Sequence, residues 1–305
     1  MKAMVEGLDG YQNTQCTPEP MLFSSRNSQK VQADFDGGAL TTDAGALRLR
    51  EVDRRIGLVD ALNACLADPR DGRYTIHDQR SMLAQRIFGI AAGYEDLNDH
   101  ATLRDDPCFK VLADRPVDPH QPLASTATLW RLEDRVDRPA MVNMVKAFVD
   151  RFIASHAATP ETIVLDFDAS DNPVHGNQEN RGFHGYYDEY CFLPLYVYCG
   201  DQLRVPYLRP CRIDVAKHSA AILKLLVTRF RQVWPSVRIL FRADSGFCRW
   251  RTLKWCDRHG VYYLVGLAQN PVLLRLAQPW TVPAEWHSRR TGQKVRLFGS
   301  FAYKA

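Results

Sequence analysis

The run Ile163-Val164-Leu165-Asp166-Phe167-Asp168 is apolar and ends in acid. About 75 residues later Val237-Arg238-Ile239-Leu240-Phe241-Arg242-Ala243-Asp244-Ser245-Gly246 does the same. Both read as buried strands from their length and their β-branched and aromatic content. A strand that delivers a carboxylate at its end is costly to build, because a water-starved carboxylate needs a cation. Side chains alternate along a strand, so Asp166 and Asp168 share one face and Phe167 points to the other. Asp244 also ends its strand, ahead of the turn-forming Ser245-Gly246. If the two strands are near neighbours and parallel, their C-terminal ends meet at one edge of the sheet, where open α/β sheets place their sites. Two carboxylates there could bridge Mg²⁺ or Mn²⁺. A pair of such ions, roughly 4 Å apart, clamps the attacking and leaving oxygens of a phosphodiester displacement. Arg242 lies on the Asp244 face and could reach either the acid or a phosphate.

Upstream of these strands the texture is helical. Thr42 or Asp43 can cap a helix through Leu47, Leu49, Val52 and Ile56 that ends at Gly57. Further helices are expected over Met82–Ile90, stopping at Gly93, after Ser125, and from Met141 to Ile153 behind Pro139. The Ser125–Arg131 segment could serve as a recognition helix. Residues 1–37 read as a leader with one short strand, and 38–158 as a helical region assigned to DNA binding. From Thr159-Pro160 the pattern changes. Strands are expected at 162–168, 192–199, 203–209, 237–243 and 261–266, with Gly200-Asp201 as a hairpin turn and helices at 217–233 and 248–259. That order is an α/β layer architecture with a mixed sheet, over residues 159–305. After Asn270-Pro271 the pattern blurs, and residues 294–303 look like a strand.

Composition narrows the class. Of 305 residues, 46% are hydrophobic and 24% charged, as in ordinary globular chains. No apolar stretch approaches the roughly 20 residues of a membrane span, and residues 1–27 carry no apolar signal region. The eight cysteines form no Cys-x-x-Cys pair and several sit in apolar runs. That argues against a zinc ribbon or disulfide framework and points to a reducing cytoplasm. The net charge of +4 is unevenly spread. Residues 1–158 hold 19 Lys and Arg against 23 Asp and Glu, whereas residues 238–305 hold 12 against 3. A basic surface beside an acidic site suits a polyanion. Arg249 and Arg251, just after Asp244, join Arg242 as DNA-binding candidates. His175, in the polar loop Pro173–Gln178, could contact a phosphate or orient water. Asp171, in Asp171-Asn172-Pro173, reads as a turn residue.

These residues resemble a known family. Leu165-Asp166-Phe167-Asp168-Ala169-Ser170-Asp171-Asn172-Pro173-Val174-His175-Gly176, His184-Gly185-Tyr186-Tyr187 and Arg242-Ala243-Asp244-Ser245-Gly246-Phe247 are similar to bacterial insertion-sequence transposases of the group-1 branch of the DDE superfamily. Gly38–Gly45 and Asp96–His100 resemble it too. The resemblance implies an RNase H-like domain behind a helical region, and cut-and-paste strand transfer with two Mg²⁺ ions. Its partners would be double-stranded DNA, at element ends and target, in a homo-oligomeric synaptic complex. By motif, Asp168 is the first catalytic acid and Asp244 the second, with Asp166 a close rival for the first. The family's third acid, a Glu, follows a β-rich insertion, which the chain would enter at about residue 270. Glu285, among Pro283-Ala284-Glu285-Trp286, is not a substitute. The expectation is a C-terminally truncated transposase with impaired activity. The alternatives are a non-catalytic DNA-binding remnant and, from the paired carboxylates alone, a glycosidase.

Overall fold

Short polar caps and left-handed glycines decide where the first helices start and stop. The computed structural model describes residues 21–26, 29–33 and 40–303. The chain forms two units, Met1–Met141 and Val142–Ala305. In the first, β1 (Met21–Arg26) and β2 (Gln29–Ala33) pair antiparallel, two strands where the sequence suggests one. The rest of the expected leader, residues 1–20, 27–28 and 34–37, lies outside the described residues. Next come α1 (Leu47–Ile56), α2 (Leu58–Asn63), α3 (Gln79–Ala91), α4 (His100–Leu103), α5 (Pro107–Leu112) and α6 (Thr126–Asp134). Gly57 ends α1 with a φ of 61°, left-handed backbone that glycine adopts without a Cβ penalty. Asp78 caps α3 by accepting from the Ser81 amide at 2.8 Å. Asp106 caps α5 by accepting from the Cys108 and Phe109 amides at 2.7 and 3.1 Å.

Helix α3 is buried on nearly every side, against α2, α5 and α6. Its polar residues must therefore be satisfied from within. The Gln85 amide nitrogen donates to the Ala124 carbonyl at 3.0 Å, and its oxygen accepts from the Ala124 amide at 3.1 Å. The same nitrogen lies 3.3 Å from Nδ1 of His100, a fully buried ring whose Nε2 has no partner. Burial first, and then the Arg86 charge, hold the His100 pKa below its ordinary 6.5, although Asp99 and Glu133 pull the other way. The folded ring is thus neutral while the unfolded ring charges below about 6.5. Stability from this neutral ring is present above that pH and is lost as pH falls towards 5. In urea titrations the midpoint for the wild-type chain should drop between pH 7 and pH 5, and His100→Gln should shrink that drop. An equal drop in the variant would remove His100 as its source.

The second unit is organised by an alternation in its strands. After α7 (Arg138–Ala154), which crosses the boundary, come β3 (Thr162–Ala169), β4 (Asn172–Pro173), β5 (Gly182–His184), β6 (Glu189–Phe192), β7 (Leu195–Cys199) and β8 (Gln202–Tyr207). Then follow α8 (Ser219–Val233), β9 (Arg238–Ala243), α9 (Trp250–Arg258), β10 (Tyr262–Val265) and α10 (Pro271–Thr291). The main sheet has the order β10-β9-β3-β7-β8, with β3, β9 and β10 parallel and β7 and β8 antiparallel. A smaller sheet has the order β4-β6-β5. The odd-numbered residues Ile163, Leu165, Phe167, Ile239 and Phe241 enter one apolar core with Leu195 and Val197 of β7 and Val205 of β8. Val149 and Phe152 of α7, Leu223, Leu226, Val227 and Phe230 of α8, and Cys256 of α9 join them. Each large apolar side chain buried there contributes about 1.5–3 kcal/mol. The even-numbered residues Asp166, Asp168 and Arg242 are left on the other face. The α/β class, the mixed sheet and the helical first unit agree with the sequence reading.

Two expectations need correction. The strand expected over 192–199 is two strands, β6 and β7, because Pro194 lacks the amide donor to continue a ladder. After residue 270 the chain forms α10 rather than the start of a β-rich insertion, and residues 294–303 carry no strand. The Asn270 side chain caps α10 by accepting from the Leu273 amide at 2.9 Å, Pro271 takes the first helical position and Gly292 closes the helix at a φ of 67°. No helix among the described residues is long and apolar enough to cross a membrane.

Candidate active site

The parallel register between β3 and β9 builds the site. Asp166 is opposite Arg242, and the last pair is Phe167 with Ala243. One residue further on, Asp168 and Asp244 stand at the C-terminal ends of neighbouring strands, on the same face, both exposed. Parallel strands lie about 4.8 Å apart, so the register brings these two residues to neighbouring strand ends.

The acids have different surroundings. Asp166 is gripped by Arg242, whose Nη2 donates to Oδ2 at 2.6 Å and whose Nε donates to Oδ1. That bond holds the Arg242 guanidinium above its usual pKa. As an exposed pair it adds at most about 1 kcal/mol to stability, but it neutralises Asp166. The sequence reading offered Arg242 either Asp244 or a phosphate; the structure pairs it instead with Asp166, directly opposite on β3. Asp168 accepts no hydrogen bond from a described residue. Asp244 caps a short 3₁₀ turn, accepting from the Gly246 amide at 2.8 Å. Phe247 anchors that turn in the core, 6.5 Å from the Phe167 ring. One Asp244 oxygen is thus held in place, and among the described residues no cation is paired with the carboxylate.

Glycines let the backbone close in beside Asp244. A Cβ on Gly266 would lie 2.9 Å from the Ser245 amide nitrogen, and one on Gly246 would meet both Val215 and Asp244 at 3.1 Å. The need for glycine at 266 comes from the β10 chain passing under the turn after β9, a contact that local sequence does not reveal. Tyr187, outside the sequence assignments, packs against the Cys191, Leu193 and Cys211 cluster, as does Ala169, the residue after Asp168. Burial first, and then Asp171, Tyr186 and Asp168, push its phenol pKa up. A turn through the left-handed Asp188 carries it there from the His184-Gly185-Tyr186-Tyr187 motif. Asp171, expected as a turn residue, hydrogen-bonds Glu189. Burial and that bond raise the Glu189 pKa, with the exposed His175 close enough to oppose the shift.

The basic candidates separate. Arg249 Nη2 donates to Asp214 at 2.7 Å, so its charge is partly used within the fold. Arg251 is exposed and has no acidic partner among the described residues. Glu285 lies on α10, exposed, with Arg289 at 3.8 Å, and takes no part in the site. Among the described residues, no three His, Cys, Asp or Glu side chains converge closely enough to hold a metal ion. Two exposed carboxylates free of cations nonetheless fit Mg²⁺ or Mn²⁺, hard ions often bound through one or two carboxylates with several waters retained.

Two acids at the ends of adjacent parallel strands stand where open α/β sheets place their sites. Residues 23–305 match the family described as transposase DDE domain group 1, and the chain belongs to that family. A solved piggyBac transposase, in a synaptic complex with hairpin DNA, is similar at 16% identity with a TM-score of 0.35. The match takes in 75% of this chain and 52% of that one, so the chain spans about half the length of that protein. A comparison with curated proteins finds no match.

Proposed function

We propose that the chain is a DNA transposase of an insertion sequence, acting by phosphodiester hydrolysis and strand transfer at element ends. The observation that supports this most directly, beside family membership, is the shared position of Asp168 and Asp244 one residue past the last β3–β9 pair. These two carboxylates would hold Mg²⁺ or Mn²⁺, two ions in a complete site. Such ions stabilise charge on the phosphoryl oxygens and acidify an attacking water or 3′-hydroxyl. Asp168, without a partner, presents both oxygens. The Asp244 cap fixes one carboxylate oxygen and aims the other outward. Arg242 keeps Asp166 from competing as a ligand. Arg251, and Arg249 beside it, would attract the phosphates of double-stranded DNA at the element ends and target, with His175 a further contact. The helical first unit is proposed to add DNA contacts, and the synaptic complex to be a homo-oligomer.

A second reading is favoured by the lack of a third converging ligand among the described residues: DNA binding without strand cleavage. One assay separates the two. Labelled duplexes carrying the DNA that flanks the gene are incubated with the chain in Mg²⁺ or in chelator. Cleavage that requires Mg²⁺ supports the transposase reading. Salt-sensitive binding with no cleavage supports the remnant, and no binding at low salt sinks both.

A further inference from the structure

The outward face of α9, directly after the strand-end acid, alternates cations with aromatic rings. Thr252 and Cys256 face inward and are buried. On the solvent side, Trp250, Lys254 and Arg258 follow one another at four-residue spacing, so they form one row along the helix. Arg251, Trp255 and His259 form the next row. Trp250 is 70% exposed, and the Lys254 ammonium sits 5.8 Å from its ring. Trp255 stacks on His259, with centroids 4.3 Å apart and planes 19° from parallel, and Lys224 of α8 lies 5.7 Å from its indole. No carboxylate pairs with Arg251, Lys254 or Arg258 among the described residues. Asp257, the one acid on this helix, is exposed near its C-terminal end.

Cations without acids on an exposed helix face attract phosphates, and in that respect the face is complementary to nucleic acid of any form. The indole narrows the choice. Bases inside a duplex already stack on each other and offer no free face, whereas an unpaired base does. Five residues separate Asp244 from Trp250, three of them in a 3₁₀ turn, so the ring lies within roughly 20 Å of the acid. That is the reach of a few nucleotides from a bond held at Asp168 and Asp244. We infer that Trp250 stacks an unpaired base of the DNA strand being processed, with Arg251 and Lys254 on the flanking phosphates. The inference rests on the DNA-transposase reading and extends it to a chosen form of DNA.

The test uses the full chain and two short labelled DNAs: a blunt duplex, and the same duplex with a single-stranded 3′ overhang carrying 2-aminopurine. The wild-type chain should bind the overhang about tenfold more tightly, in line with base–aromatic stacking, and should quench the 2-aminopurine. Trp250→Ala should erase both the preference and the quenching while its affinity for blunt duplex stays unchanged. Trp250→Phe should keep most of both. Circular dichroism checks that the variants fold, which the exposure of Trp250 favours. Equal weakening on both DNAs, or an overhang preference that survives Trp250→Ala, overturns the inference. Blunt-duplex binding with no overhang preference in the wild-type chain overturns it alone. Failure to bind either DNA at low salt overturns the underlying transposase reading.

Discussion

Asp168→Asn and Asp244→Asn should each lower Mg²⁺-dependent strand cleavage by at least about a thousandfold, since a bound metal supplies several kcal/mol of charge stabilisation. Each should also weaken Mn²⁺ binding measured by water-proton relaxation, a readout that does not depend on turnover. Asparagine keeps the side-chain shape and an acceptor oxygen, so at 244 the bond from the Gly246 amide is retained. What is lost is the negative charge. Asp166→Asn is the internal contrast. Its charge is already matched by Arg242, so its effect should stay below about tenfold, near 1 kcal/mol. If Asp166→Asn were the most damaging of the three, the first acid would be Asp166 and the assignment would fail. If neither Asp168→Asn nor Asp244→Asn altered Mn²⁺ binding, the metal would sit elsewhere.

Phe241→Ala should destabilise the second unit by about 3–5 kcal/mol, enough to leave a domain of ordinary stability marginal. Phe241 is completely buried, its ring 5.1 Å from that of Phe167 in an edge-to-face contact. It lies under the β3–β9 pair, where truncation leaves a cavity that neighbouring strands cannot close without losing their ladder. Phe241→Leu keeps most of the volume and should cost less than about 1.5 kcal/mol. Urea titration of both variants gives the two values. Equal and small losses would show that this side of the core repacks freely, contrary to the tight interlocking described above.

Both predictions concern strands that were readable from local pattern. The runs at 162–168 and 237–243 are short, apolar and bounded by turn residues, and nothing in the fold competes with that pattern. Helices α1, α3 and α6 were readable from apolar spacing and from Gly57 and Gly93 near the ends of α1 and α3, whereas the short α2, α4 and α5 were not; α1 starts behind Ala46, without the side-chain cap expected from Thr42 or Asp43. The region after residue 270 was not. Asn270-Pro271 can close a loop or open a helix, and the choice depends on whether the asparagine side chain turns back to the Leu273 amide. The strand-end positions of Asp168 and Asp244 were legible, but the partners around them were not. The pairing of Arg249 with Asp214 spans 35 residues, and that of Arg242 with Asp166 spans 76. The packing of Tyr187 against the cluster beside Ala169 depends on how a small sheet folds back. Such contacts follow from topology, which local periodicity does not encode.

The register of β3 against β9 carries a further consequence for tolerance to change. Residues alternate between the core and the open face, so Asp168 and Asp244 meet only while both strands keep phase. Swapping one apolar residue for another in either strand alters packing by a graded amount. Deleting or inserting a single residue would instead turn the following acid into the core and bring Phe167 or Ala243 to the surface. The pair is therefore protected by counting more than by composition. These strands can drift in sequence, yet their lengths before the acids are held fixed.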